Sequence, residues 1–348
     1  MDWRWTADLG VALAAHDAPP RAGGWARAAE RAGLGSVWII EDYFQPGAFA
    51  LAGAAAAATE RLAVGLGVVN PYTRHPALLA METAALAGIA AGRAVLGLGS
   101  SNRRWIEEQM GVPFRTPLAA VRESVEIVRR LLAGERLTFR GRCFSLEDVA
   151  LEWTPKEPVP VLLGVKGPQA LRLAGEVADG VHCSVLASPA HVRRVRTTVT
   201  AAGARAGDFR VIAYVLTSIG DDGQQARAAI RPPLARYLGL LHGQSILEDA
   251  GLDAARTRPF RDALVRGAPA ADLVDDALVD AVAVAGTPAH CARQLARWAE
   301  AGLDTPIAVV PPGADVGEQL ALYARTLVPA WREATAGRRP PRDSKEKP

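Results

Sequence analysis

Eight short stretches of this chain are apolar on both alternating sets of positions: Leu9–Leu13, Ser36–Ile40, Leu62–Val69, Ala94–Leu98, Val159–Leu163, Gly180–Ser184, Arg210–Thr217 and Thr305–Val310. A strand with no polar face must be covered on both sides, which is the situation inside a parallel sheet. Patterns of helical period lie between the runs. They include Trp25–Ala32, which stops at Gly33 and Gly35, the Ala-rich stretch Ala48–Ala58, and Pro76–Ala90, Ile106–Met110, Leu118–Ala133, Pro168–Val177, Pro189–Ala202 and Pro288–Ala301. Eight such units in a chain of 348 residues have the size of a (β/α)8 TIM barrel of the α/β class. An open doubly wound sheet is the rival, but no GxGxxG follows the first strand. Gln224–Asp280 breaks the alternation and reads as a helical insertion between strands 7 and 8, over the catalytic rim, where Tyr237, His242 and Phe260 would cover a substrate. Thr138–Leu146 reads as a small excursion. Residues 1–336 form one domain on this reading, and 337–348, charged and Pro-rich, form a disordered tail.

Composition excludes several classes. The chain is 49% hydrophobic and 22% charged, with a formal charge of +3, too small for the basic stripe of a nucleic-acid binder. Cys143, Cys183 and Cys291 are far apart and form no CxxC pair, so neither a disulfide framework nor a cysteine-rich metal site is expected. No HExxH or similar ligand spacing occurs, and no metal is expected. The first residues, MDWRWTADLG, lack the pattern of a secretory signal, and Ala48–Ala58 is too short to span a membrane. A cytoplasmic enzyme acting on a small molecule is the expectation, with neither nucleic acid nor membrane as partner.

A barrel enzyme builds its site from residues just past the C-terminal strand ends. Here these are Glu41, Asp42, Tyr43 and Phe44 after strand two; Asn70, Tyr72, Arg74 and His75 after strand three; Gly99-Ser100-Ser101-Asn102-Arg103-Arg104 after strand four; and Gly164-Val165-Lys166-Gly167-Pro168 after strand five. Strand six ends His182-Cys183-Ser184. The fourth and fifth sets offer backbone N–H groups, hydroxyls and cations, and the fifth runs into a helix N-terminus, as a phosphate site requires. A tight turn between strand and helix is the simpler account of each. Capping a helix is the other reading of Asp42 and of His75, His182 could be a core histidine, and Glu107 and Glu108 suit a solvated helix face.

The stretches IIEDYFQP, GLGVVNPYTRHPALLAMETAAL, VLGLGSSN, GVKGPQALRLAGEVADGV and AGTPAHCARQLARWAEAGLD resemble, in order and spacing, the luciferase-like flavin- and deazaflavin-dependent oxidoreductases, over roughly residues 9 to 330. NPYTRHP and GPQALRLAGEVADGV are similar to the branch of methylenetetrahydromethanopterin reductase and the deazaflavin-dependent glucose-6-phosphate dehydrogenases. The resemblance implies a hydride transfer between coenzyme F420 and a small organic substrate. FMN in an oxygen-using monooxygenase is the alternative, and a barrel that binds without turnover is a third possibility. It implies a bulge with a non-proline cis peptide at Gly67–Val68 behind the ring, and Asn70 at the ring edge. Gly99, Ser100, Ser101, Asn102, Gly164, Val165, Lys166 and Gly167 would hold the ribityl chain and phosphate, with Arg103, Arg104 and Lys166 near the anionic tail. Asp42, Tyr43 and His75 would handle protons, and a homodimer is implied.

The chain also departs from the branch. Val11-Ala12-Leu13 and Asn102 stand where the methanopterin reductase has carboxylates, and Tyr43 stands where the sugar-phosphate dehydrogenases have histidine. Both differences point to another substrate. Tyr43 could donate a proton, at an unperturbed pKa of ~10, or merely stack.

Overall fold

The computed structural model describes residues 8–13, 19–42, 44–204, 208–268 and 270–338. Its strands, in chain order, are β1 (Gly10–Leu13), β2 (Ser36–Ile39), β3 (Ala63–Val69), β4 (Ala94–Leu98), β5 (Leu137–Arg140), β6 (Ser145–Val149), β7 (Val161–Leu163), β8 (Gly180–Cys183), β9 (Arg210–Ile219), β10 (Ala283–Gly286) and β11 (Thr305–Val309). Eight of them close a parallel barrel in the order β9, β11, β1, β2, β3, β4, β7, β8 and back to β9. These are the eight apolar runs of the sequence. Outward side chains such as Val11, Val37 and Leu96 pack under the helices. Inward ones such as Trp38, Val95, Leu162, Ile212 and Tyr214 fill the lumen.

One strand has no counterpart in the sequence reading. β9 continues past its barrel neighbours, and Leu216–Ile219 pairs in parallel with β10. β10 is four residues long and directly follows the helix Asp276–Val282, so its alternation is too short to stand out. The excursion is a hairpin of β5 and β6. Its turn is fastened by Glu123, whose carboxylate accepts from the N–H groups of Arg142, Cys143 and Phe144 at 2.8, 2.9 and 3.0 Å.

Between β9 and β10 lie the helices Gly223–Leu240, Ser245–Glu248, Ala254–Val265 and Asp276–Val282. The start of the expected tail, Gly337 and Arg338, belongs instead to a last helical turn, Ala336–Arg338. The remaining tail residues, 339–348, lie outside the described residues. No helix among the described residues is long and apolar enough to cross a membrane.

Candidate active site

The polar run after β3 is a set of mutual fastenings. Asn70 is buried, and its Oδ1 accepts from the N–H groups of Tyr72 and Thr73, both at 3.0 Å, so the chain turns sharply off the strand. The Tyr72 hydroxyl donates to the Arg115 carbonyl at 2.7 Å, and its ring packs on Phe114; burial first, and then Cys143, pushes its phenol up to about 12. Arg74 reaches Glu41 at 2.6 Å and Glu82 at 3.2 Å, with Phe49 under its guanidinium. His75 is the N-cap of the helix Pro76–Ile89: its Nδ1 accepts from the Ala77 N–H at 3.2 Å. Burial lowers its pKa. The Asn70 carbonyl oxygen thus holds the turn, and His75 has a capping task that occupies one ring nitrogen.

Arg74 therefore ties the β2 loop to the β3 loop through Glu41. Asp42 follows Glu41, and its carboxylate lies near Tyr237 on the helix Gly223–Leu240. Burial raises the Tyr237 phenol most; the Asp42 charge adds to the rise, against the lowering pull of Arg236. Tyr43 lies outside the described residues.

The end of β3 carries the expected bulge. Its register against β4 shifts between Leu66 and Val69, and Gly67–Val68 is a cis peptide. The Gly67 carbonyl accepts from the Tyr214 hydroxyl of β9 at 2.8 Å, across the lumen. A Cβ built on Gly67 would lie 2.1 Å from that hydroxyl and 2.7 Å from His182 Cε1, so glycine is required by the opposite wall of the barrel. His182 stacks edge-on to Trp38 and tilted on Tyr214, and neither ring nitrogen has a hydrogen-bond partner among the described residues. Burial lowers its pKa to about 3, so this ring is neutral packing. Val68 fills a cradle made by Gly97, Gly99 and Gly164. A Cβ on each would come within 3.0, 2.7 and 2.9 Å of its methyl groups. Gly99 and Gly164, read from sequence as phosphate-loop glycines, thus also seat the bulge.

The two Gly loops are neighbours. The Gly99 N–H donates to the Val69 carbonyl at 2.9 Å, and the Gly164 N–H donates to the Leu98 carbonyl at 2.7 Å. Ser101 adopts a left-handed backbone, φ 62°. Asn102 accepts from the Trp105 N–H at 3.1 Å, capping the next turn. Arg103 pairs with Glu107 and donates to the Phe114 carbonyl at 3.2 Å, and Arg104 opens the wide turn Arg104–Gln109. On the other loop Val165 is buried, and the helix Pro168–Val177 starts at Gly167 with no side-chain cap; a Cβ on Gly167 would meet open space. Lys166 turns away to donate to Gln244 Oε1 at 3.0 Å, and burial lowers its pKa.

That bond joins the β7 loop to the helical segment after β9. A second joint lies beside it, where Asp249 accepts from His191 Nδ1 at 2.6 Å and pairs with Arg194 at 2.7 Å. The residues expected to cover a substrate separate. Tyr237 faces the Asp42 side, His242 bonds Thr257 Oγ1 at 2.8 Å, and Phe260 is buried against the neighbouring helix, where a Cβ on Gly239 would lie 2.7 Å from its carbonyl oxygen. Phe260 is core, not cover, because an amphipathic helix pair buries its aromatic residue.

The sequence model of the luciferase-like monooxygenase family matches residues 5–305. The chain belongs to that family. It is 29% identical to the 5,10-methylenetetrahydromethanopterin reductase of Methanolobus tindarius over 314 residues, 87% of this chain and 94% of the relative. It is 28% identical to the F420-dependent glucose-6-phosphate dehydrogenase of Kineococcus radiotolerans, covering 90% of this chain and 94% of the relative. Among solved structures it is similar to the coenzyme F420-dependent tetrahydromethanopterin reductase of Methanopyrus kandleri, with a TM-score of 0.84 and 25% identity over 93% of this chain and 99% of that one. Within this luciferase-like barrel, Tyr214 is the site residue that sequence reasoning missed. Its local signal was a hydroxyl at an inward position within the otherwise apolar run Val211–Leu216 of β9.

Proposed function

We propose that this enzyme moves a hydride between coenzyme F420 and a small organic substrate carrying a C=C, C=N or alcohol/carbonyl group, at the C-terminal face of the barrel. The observation that carries the reading is the convergence at Val68: the β3 bulge is wedged between the two Gly loops, at the mouth of the barrel. The residues fit a phosphorylated, ring-bearing group. The uncapped helix start at Gly167 opens onto free space and suits an anion. Ser100 and Ser101 offer peptide N–H groups and hydroxyls on the neighbouring loop, which the Gly164–Leu98 hydrogen bond sets beside this one, and Val68 packs between the two loops. When bound, F420 supplies or accepts the hydride.

The chain's own residues orient the reactants and handle the proton. Reduction of a C=N or C=O bond needs one proton at the heteroatom for each hydride delivered to carbon. Asp42 is the assigned proton-handling group, held at the rim by the Glu41–Arg74 tie, with Tyr43 next to it in the sequence and the Tyr237 phenol near its carboxylate. His75 is left to its capping task. The similarity to two relatives whose names carry F420 or methanopterin supports the cofactor assignment. The missing carboxylates and Tyr43 support a substrate other than a methanopterin or a sugar phosphate. We also infer a cytoplasmic homodimer.

The test is Asp42→Ala. The variant is expected to keep its circular dichroism spectrum and its affinity for F420 while losing at least ~100-fold in turnover, the usual scale of a removed acid–base group. Turnover unchanged from wild type would remove Asp42 from the chemistry.

A further inference from the structure

The mouth of the barrel has two unlike sides. β3, β4 and β7 are consecutive around it and bring the bulge and the two Gly loops, with Val68 between them. β11, β1 and β2, also consecutive, bring an apolar floor. Val309 stands in register with Ala12, and Ala12 with Trp38. Ile40 lies one inward step above Trp38, because side chains two apart on a strand share a face. Tyr237 reaches the same lumen cluster from the helix Gly223–Leu240. Ile40, Val309 and Tyr237 are each only partly buried, so the packed lumen ends here in apolar surface open to a ligand.

Two polar groups border this floor. Asp42 follows Ile40 by two residues, and its carboxylate lies near the Tyr237 phenol. Burial above all raises that phenol's pKa, so at neutral pH it keeps its proton and donates, whereas a carboxylate only accepts. Arg236 is the second charge beside the phenol, its guanidinium carbon 5.6 Å from the ring centroid. One negative and one positive group around a single phenol leave the floor balanced, with no excess charge to hold a charged molecule. The cations of the neighbouring loops are engaged: Arg74 with Glu41 and Glu82, Arg103 with Glu107, and Lys166 with Gln244.

We propose that the substrate of this site is an uncharged alcohol with a compact apolar body, or the ketone or aldehyde formed from it, its oxygen held between Tyr237 and Asp42. The inference rests on the hydride-transfer reading above and narrows it. A hydroxyl accepts from the phenol and donates to the carboxylate through one oxygen. The other candidates do not: an alkene does neither, a substituted imine only accepts, an ammonium only donates, and a carboxylate or phosphate only accepts and meets the Asp42 charge. The body of the molecule rests on Ala12, Ile40 and Val309. On oxidation the alcohol loses a hydride, with its electron pair, from carbon to the oxidised deazaflavin, and its hydroxyl proton to Asp42. The C–O bond becomes C=O and still accepts from Tyr237, which keeps its own proton in both directions.

Saturation-transfer NMR titrations at pH 7 test it without turnover, using three probes built on one ring: cyclohexanol, cyclohexylamine and cyclohexanecarboxylate, each with the protein alone and with saturating F420. Cyclohexanol is expected to bind at least ~10-fold more tightly than either charged probe. Tyr237→Phe, which removes one oxygen, is expected to keep the circular dichroism spectrum and weaken cyclohexanol about 3–10-fold. Val309→Asp, at a partly exposed floor position, is expected to reverse the order in favour of cyclohexylamine. Preference of the wild type for either charged probe, or no binding of cyclohexanol while F420 binds, would overturn the substrate class alone. Equal affinity in Tyr237→Phe would overturn the part given to the phenol, and an unchanged order in Val309→Asp the part given to the floor. Failure of F420 itself to bind would overturn the cofactor reading and this one with it.

Discussion

Gly67→Ala probes the geometry under the site with a single methyl group. The new Cβ would lie 2.1 Å from the Tyr214 hydroxyl and 2.7 Å from His182 Cε1, inside contact distance of both. His182 cannot retreat easily, since Trp38 and Tyr214 hold both sides of its ring. Tyr214 can, but only by leaving the Gly67 carbonyl that it bonds at 2.8 Å. A buried carbonyl stripped of its donor costs about 1–3 kcal/mol, and overpacking a dense lumen costs about 1–3 more. The sum, about 2–6 kcal/mol, reaches the upper end for point substitutions. Urea unfolding followed by circular dichroism measures it. Tyr214→Phe alone should cost about 1–2 kcal/mol by the lost bond. In that background alanine should cost at least ~1 kcal/mol less than in wild type, because its worst overlap has gone. A Gly67→Ala variant within ~0.5 kcal/mol of wild type, or the same alanine cost in both backgrounds, would refute the reasoning.

Two further predictions concern charge. His182 is neutral in the fold with a pKa of about 3, whereas the unfolded chain protonates it near ~6.5. Between these values only the unfolded state takes the proton, so stability falls as pH falls, by up to ~1.4 kcal/mol per pH unit. His182→Leu should flatten the fall of melting temperature from pH 6.5 down to about 4 relative to wild type; an equally steep curve would mean that the ring is solvated. Arg74→Met leaves Glu41 and Glu82 without their shared cation, and Glu41 Oε2 already lacks a hydrogen-bond partner. Burial, followed by nearby Glu41, raises the Glu82 pKa even with Arg74 present. The variant should therefore be destabilised at pH 7 and recover part of the loss near pH 5 as the carboxylates protonate, read by thermal melts. A deficit independent of pH would show that Arg74 acts by packing on Phe49.

The barrel was legible because strands covered on both faces are apolar on both, and each of the eight runs matches an observed strand to within two residues at either end. β10 escaped notice because its existence depends on the overhang of β9, a length set by tertiary pairing. The polar run NPYTRHP was legible as a place where a strand is stopped, but not in its detail. Pro76 at the first helical position was the local sign that His75 is a cap. The bulge at Gly67–Val68 came through family resemblance. The reason Gly67 is glycine did not, since it lies 147 positions away on β9, where one tyrosine among apolar residues reaches across the lumen. Phe260 was misread because a buried helix pair and a substrate lid draw on the same aromatic residues. The apolar Ala48–Ala57 was read as packed tightly on the sheet, and its Ala48, Leu51 and Ala52 are; what the pattern concealed is that its other side is equally apolar and exposed.

The central claim is that the mouth between the two Gly loops takes coenzyme F420. Titration of the purified apoprotein with F420 and, separately, with FMN, followed by quenching of cofactor fluorescence, tests it most directly. The account predicts saturable micromolar or tighter binding of F420, weakened by Gly167→Val at the open helix start, and no comparable binding of FMN. Preference for FMN would make the chain an oxygen-using monooxygenase, and binding of neither would reduce both Gly loops to structural turns; either result contradicts the account.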